Sequence, residues 1–171
     1  MRRVLVIGSG GAGKTTFARA LAARTGLPLV HLDAHYWRPG WVETPDAEWR
    51  AAVAVLLAGD SWIMDGNYNG TFDLRAAACD TVIFLDRPRL LCLWRVVMRW
   101  LRYSGASRPD ISDGCPERLT VEFLRWIWNF PRKRRPTILA RLAALPPEKN
   151  VVILRAAPEV DAFLASATDA R

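Results

Sequence analysis

The run GSGGAGKTT at residues 8–16 follows directly on RVLVI at residues 3–7, and no other stretch constrains the fold of this chain as strongly. A β-branched run that enters a glycine loop reads as a buried central strand. Gly8, Gly10 and Gly13 spell G-x-G-x-x-G, while Gly8, Gly13, Lys14 and Thr15 spell G-x-x-x-x-G-K-[ST]. Both patterns put backbone N–H groups where phosphate meets a helix N-terminus. Asp33 suits either, because it lies about 20 residues past the loop, where a ribose-binding carboxylate would sit. Lys14 and Thr15 break the tie. A lysine there reaches the β- and γ-phosphates and the next hydroxyl can ligate Mg²⁺, a pair that a dinucleotide site does not need.

The rest of the chain alternates strand and helix signals. Phe17, Ala18, Leu21 and Ala22 recur at helical spacing, and Gly26-Leu27-Pro28 stops that helix. Leu29–Leu32 reads as a second strand leading into Asp33. Thr44-Pro45-Asp46 starts a helix with Trp49, Val53, Leu56 and Leu57 on one face. Trp62–Met64 and Thr81–Leu85 are the third and fourth strands, entering Asp65-Gly66-Asn67 and Asp86-Arg87-Pro88. A long helix is expected from about Arg89, then a breaker-rich stretch from Ser104 to Glu117. Two helical segments divided at Pro131 follow, then a fifth strand at Val151–Leu154 and a last helix from Pro158. Such alternation implies parallel pairing through right-handed crossovers, with both sheet faces covered. At 171 residues the chain suits a single domain.

Net charge is +7, from 24 Lys and Arg against 17 Asp and Glu, which favours anionic partners: nucleotides, nucleic acid or an anionic membrane surface. Cys79, Cys92 and Cys115 match no metal or redox spacing, and Cys79 and Cys92, in apolar surroundings, are expected as buried thiols in a reducing cytosol. The apolar run after Met1-Arg2-Arg3 stops at Gly8, too short for a secretory signal, and no run approaches a membrane span.

The order of Gly8–Thr15, Asp33 after the second strand, Asp65-Gly66 after the third and an arginine-studded helix leading to a loop resembles the nucleoside and nucleotide kinase group of P-loop proteins. That group includes adenylate and shikimate kinases. HLDAHYWRPGW (31–41), WIMDGNYNGTFDLR (62–75) and RPDISDGCPERL (108–119) are similar to the adenylate-kinase-like proteins often labelled "DNA topology modulation protein", over nearly the whole chain. The resemblance implies an α/β three-layer P-loop fold. It carries a five-stranded parallel sheet in order 2-3-1-4-5, helices on both faces and a helical lid at about 103–122. It also implies an ATP-binding phosphotransferase that uses Mg²⁺.

On this reading Gly8, Gly10, Gly11, Ala12, Gly13, Lys14, Thr15 and Thr16 hold the donor triphosphate. Thr15 holds the metal, helped through water by Asp65. Ligands of open α/β sheets bind beyond the carboxyl ends of the strands, so Asp33, Asp65 and Asp86 converge by topology. Asp33 resembles the residue that orients or deprotonates the acceptor; its plainer role is a turn or cap. Asp86 reads as a strand end.

Asp65-Gly66 resembles the Asp-Gly of adenylate kinase, but the Phe-Pro-Arg that follows in that family is Asn67-Tyr68-Asn69 here. The arginine that grips the acceptor phosphate is therefore missing from its place, and Arg75 is the candidate to replace it. On the helix from Arg89, the arginines Arg95, Arg99 and Arg102 share one stripe. Leu90, Trp94, Val97, Met98 and Leu101 share the other. Arg95 and Arg99 are expected at the transferred phosphoryl group, with Arg108, Arg118 and Arg125 as unranked lid candidates. Trp37 and Trp41 could stack on a planar acceptor, with Tyr36 and His35 in the same neighbourhood and Tyr36 and Trp37 as acceptor-binding candidates, whereas Trp49, Trp62 and Trp94 are expected in the core. A second reading is an ATP-switched nucleic-acid-binding regulator, carried by the aromatic and basic stretch Phe123–Pro136.

Overall fold

The computed structural model describes residues 1–103, 111 and 113–167. The chain begins with β1 (Arg3–Gly8), α1 (Lys14–Thr25), β2 (Leu29–His31) and a short α2 (Leu32–Tyr36). A hairpin of β3 (Trp37–Arg38) and β4 (Val42–Glu43) precedes α3 (Asp46–Leu57), β5 (Trp62–Asp65) and α4 (Phe72–Ala78). Then come β6 (Thr81–Leu85), α5 (Arg89–Tyr103), α6 (Val121–Lys133), α7 (Arg135–Ala143), β7 (Asn150–Leu154) and α8 (Ala157–Ser166).

Five strands form one parallel sheet in the order β2-β5-β1-β6-β7, which is the expected 2-3-1-4-5 arrangement once the hairpin strands are set aside. Val4, Leu5, Val6 and Ile7 of β1 are all buried, as a central strand with two covered faces requires. Alternation along β1 sends Leu5 and Ile7 to one side, with Trp49, Trp62, Met64 and Phe84. Val4 and Val6 go to the other, with Phe17, Leu21, Ile63 and Leu85. Each face is closed by helices, giving three layers.

Several boundaries depart from the sequence expectations. Leu32 leaves the sheet and opens α2. Pro131 does not divide the helices: α6 runs through it to Lys133, and the break falls at Arg134, just before Pro136 enters the first turn of α7. The hairpin and α4 have no expected counterpart. Trp94 is not in the core. It is 59% exposed, and Leu90, Met98 and Leu101 of α5 are exposed as well. The inward face of α5 carries the small residues Cys92 and Val96, which let the glycine loop approach the helix backbone.

The amino ends of the central strands β1 and β6 are tied by one carboxylate. Asp80 accepts hydrogen bonds from the amides of Arg2 (2.7 Å) and Arg3 (2.8 Å) and from the Thr81 hydroxyl (2.6 Å). Burial alone would raise its pKa, but these donors outweigh it and hold the carboxyl below its ordinary value. The stabilisation is therefore fully present above the ordinary carboxylate pKa and is lost as pH falls through the lower folded value. We expect Asp80→Asn to cost about 1–2 kcal/mol near pH 7. In denaturant titrations the gap from the parent should narrow as the pH drops below about 4.

Candidate active site

α1 starts at Lys14 with a left-handed Gly13 (φ 96°) before it and no acidic residue in its first turn. Its positive end and free amides therefore face outward from the carboxyl edge of the sheet, which is the geometry for anion binding. The loop is pressed against α5: a Cβ on Gly11 (φ 74°) would lie 2.2 Å from the Cys92 carbonyl oxygen. Only glycine fits there. The Ala12 amide donates to the Ser9 carbonyl at 3.1 Å, and the Lys14 Nζ donates to the carbonyls of Gly8 (3.1 Å) and Ser9 (3.2 Å), curled over the loop it serves.

Beside the loop, the Thr15 hydroxyl donates to Asp65 Oδ2 at 2.8 Å. Asp65 ends β5, is 5% exposed, and has His31 Nδ1 at 3.3 Å from the same oxygen. A hydroxyl and a carboxylate side by side make an all-oxygen pair that can take a hard divalent cation together with phosphate oxygens. Among the described residues, no group of three His, Cys, Asp or Glu side chains gathers into a protein-only metal site.

A cleft of about 1180 Å³ runs along the carboxyl ends of the strands. Gly10 through Thr16 form its floor, with Asp65 and Asp33 at one wall and Arg95, Arg99, Arg102 and Arg118 at the other. Gly8 lies beneath that floor: its N–H and C=O are both engaged by the Asn67 side-chain amide, at 3.0 and 2.7 Å. Arg95 Nη1 donates to the Ala12 carbonyl at 3.2 Å, so its guanidinium already sits at the loop. Arg99 is paired with the buried Glu117 at 2.9 Å. Arg108 lies outside the described residues, and Arg125 faces an apolar groove between α5 and α6 on the outer surface instead of the cleft.

Asp33 lies in α2, and the Tyr68 hydroxyl donates to its Oδ1 at 2.6 Å. Burial, reinforced by the Asp33 carboxylate, pushes the Tyr68 phenol upward, so it stays a donor. Trp37 and Trp41 line the cleft and meet edge to face at 5.3 Å. Arg118 stacks on Trp41 at 4.7 Å, and the Trp41 indole donates to the Pro116 carbonyl at 3.0 Å. The Gly40 amide donates to Gly114 at 2.9 Å. The hairpin and the 113–118 segment, far apart in sequence, thus close together over the cleft.

Two residues expected at the acceptor are placed elsewhere. Arg75 is fully buried and donates to the backbone carbonyls of Gly66 (3.0 Å), Asn67 and Tyr68 (2.9 Å), outside the cleft lining. Burial lowers its pKa to about 10, so it remains a cation at neutral pH. Its helix, α4, packs behind the loop and turns the guanidinium away from the cleft. Tyr36 packs against Trp49 and Tyr68 at 5.1 and 4.5 Å, completing an aromatic cluster behind Asp33. Asp86 is engaged structurally, by a two-pronged ion pair with Arg135 at 2.8–3.0 Å. In the aromatic and basic stretch, Ile127 and Phe130 belong to the core and Arg135 is held by Asp86.

Sequence reasoning missed Asn67, Tyr68 and Glu117. The first two were legible only as the absence of an arginine, since nothing in NYN signals what its side chains reach.

The first half of the chain, residues 4–87, matches the family model of the ATPase family associated with various cellular activities (AAA). Among curated proteins no sequence matches. A shikimate kinase from Acinetobacter baumannii, solved with shikimate, superposes with a TM-score of 0.58 at 17% identity, covering 96% of this chain and 89% of that one. The chain has the P-loop kinase fold. A gluconokinase from Sinorhizobium meliloti 1021 is similar as well, with a TM-score of 0.54, 18% identity and coverage of 96% and 91%.

Within that fold, the Gly11 contact gives a direct check on the loop. Gly11→Ala forces either the loop or α5 to move and adds a side chain at positive φ, a combined cost of about 2 kcal/mol or more. Thermal melting should fall by several degrees and nucleotide affinity should be lost, whereas Gly70→Ala, which meets nothing within 4 Å and needs no positive φ, should retain affinity.

Proposed function

We propose that this chain is a MgATP-dependent phosphotransferase acting on the hydroxyl of a small molecule. The observation that carries the reading is convergence. The glycine-loop amides with Lys14 and Thr15, and the side chains of Asp33, Asp65 and Arg95, all border one cleft, although they come from four separate segments of the chain.

The roles follow from charge. Lys14 and the amides of Gly10–Thr16 would bind the triphosphate, and Thr15 with Asp65 would hold Mg²⁺, which when bound would supply positive charge to neutralise the phosphate oxygens. Arg95, at the loop, stabilises charge on the transferred phosphoryl group; Arg99 joins it from the next turn of α5. Asp33, on the opposite wall, orients the acceptor hydroxyl and takes its proton. Trp37 and Trp41 supply flat apolar walls for the acceptor. With Arg75 turned away, no arginine among the described residues reaches the acceptor side from the turn after β5, which favours a hydroxyl compound over a nucleoside monophosphate. Of the lid expected at about 103–122, residues 104–110 and 112 lie outside the described residues; the described residues 113–118, closed against the hairpin, would cover the cleft as part of it.

Two variants separate the donor and acceptor roles. Lys14→Ala should cut ADP formation by about 100-fold or more while the melting temperature holds. Asp33→Asn should leave MgATP affinity, measured by calorimetry, within about twofold and lower transfer by about 100-fold. A collapse of MgATP affinity in Asp33→Asn would place Asp33 in the metal site and remove it from the acceptor.

A further inference from the structure

Residues 66–68 make contacts that phosphate binding alone does not require. Asn67 closes both backbone polar groups of Gly8, at 3.0 and 2.7 Å, and so fixes the point where β1 turns into the phosphate loop. Its neighbour Tyr68 reaches the other way and donates to Asp33 Oδ1 at 2.6 Å. Tyr68 does this from a left-handed backbone (φ 31°, ψ 76°), which a bulky aromatic residue adopts only when its surroundings impose it. Here the imposing group is Arg75, whose buried guanidinium donates to the carbonyls of Gly66, Asn67 and Tyr68 in succession. A cation buried against three carbonyls is held by charge–dipole attraction and repays its desolvation only if all three stay in place.

We infer that this turn is a positioning device, in which Asn67 sets the donor loop, Tyr68 sets the Asp33 carboxylate for the acceptor, and Arg75 holds the two in one rigid piece. The inference rests on the acceptor role given to Asp33 above. Phosphoryl transfer depends on alignment more than on covalent chemistry, so a fixed distance between donor loop and acceptor carboxylate bears directly on rate. The phenol suits this task. Its ring is half-buried against Tyr36 and Trp49, which fix it at the border of the cleft, and desolvation together with the Asp33 carboxylate keeps the phenol protonated, so it donates to Asp33 throughout the working range. Asn67 suits its own task because an amide offers one donor and one acceptor group, matching the N–H and C=O of a single residue.

The test is a double-mutant cycle on ADP formation from MgATP, supplied with a mixture of neutral sugars, polyols and hydroxy acids and read against water alone as acceptor. Tyr68→Phe keeps the packed ring and removes only the hydroxyl, so folding should survive. Its kcat should fall about tenfold or more with the MgATP dissociation constant within about twofold. Adding Tyr68→Phe to Asp33→Asn should cost nothing further, because Tyr68 acts through Asp33. Asn67→Ala should show the opposite split, weakening MgATP binding by about tenfold. Wild-type kcat in Tyr68→Phe, or a loss that multiplies with that of Asp33→Asn, would overturn the inference. Wild-type kcat in Asp33→Asn would instead overturn the acceptor role on which it rests.

Discussion

Contact between Gly11 and the backbone of α5 governs how the cleft is built. Backbone amides can wrap a phosphate only if the loop is bare of side chains, and a bare loop must be supported from behind. The Cys92 carbonyl and the Val96 side chain give that support at distances that exclude a Cβ. Because α5 lies this close, residues one turn on from its contact face point along the loop, and Arg95 reaches the Ala12 carbonyl without extension beyond the helix surface. The consequence is a helix that buries Cys92 and Val96 and brings Arg95 and Arg99, with the exposed Trp94 and Met98, to the border of the cleft, while Leu90 and Leu101 are exposed elsewhere.

A second constraint comes from β5. Three successive functions emerge from its carboxyl end: Asp65 toward Thr15, Asn67 toward Gly8 and Tyr68 toward Asp33. A sheet with this strand order brings β2, β5 and β1 side by side, so one turn can touch the donor loop after β1 and the carboxylate after β2. The topology thus explains why a four-residue stretch can serve both ends of the cleft. A buried Arg75 is what such a turn requires, since its carbonyls face inward with no strand to pair them.

Much of the architecture was legible in the residues. Buried parallel strands are continuous apolar runs, and the boundaries of Thr81–Leu85 hold without change. The strand order came through resemblance to known kinases, not through any spacing. Trp94 shows where pattern reasoning fails: burial favours an indole in the core, whereas the phosphate loop recruits the small residues Cys92 and Val96 of the helix and leaves Trp94 exposed. Arg75 shows a second limit, because its partners are backbone carbonyls, which no residue type advertises. The hairpin at 37–43 escaped because two-residue strands in a Pro- and Gly-rich segment carry no periodicity, and contacts with Gly114 and Pro116 hold it in place. At Pro131 the helix continues because tertiary packing of Ile127 and Phe130 outweighs the lost hydrogen bond.

The central claim is that the cleft moves a phosphoryl group from MgATP to a hydroxyl on a small molecule. Phosphorus NMR of the protein with MgATP and a mixture of sugars, polyols, nucleosides and hydroxy acids tests it most directly. The account predicts a new phosphoester resonance that grows together with ADP. Growth of inorganic phosphate and ADP alone, indifferent to every acceptor, would contradict it.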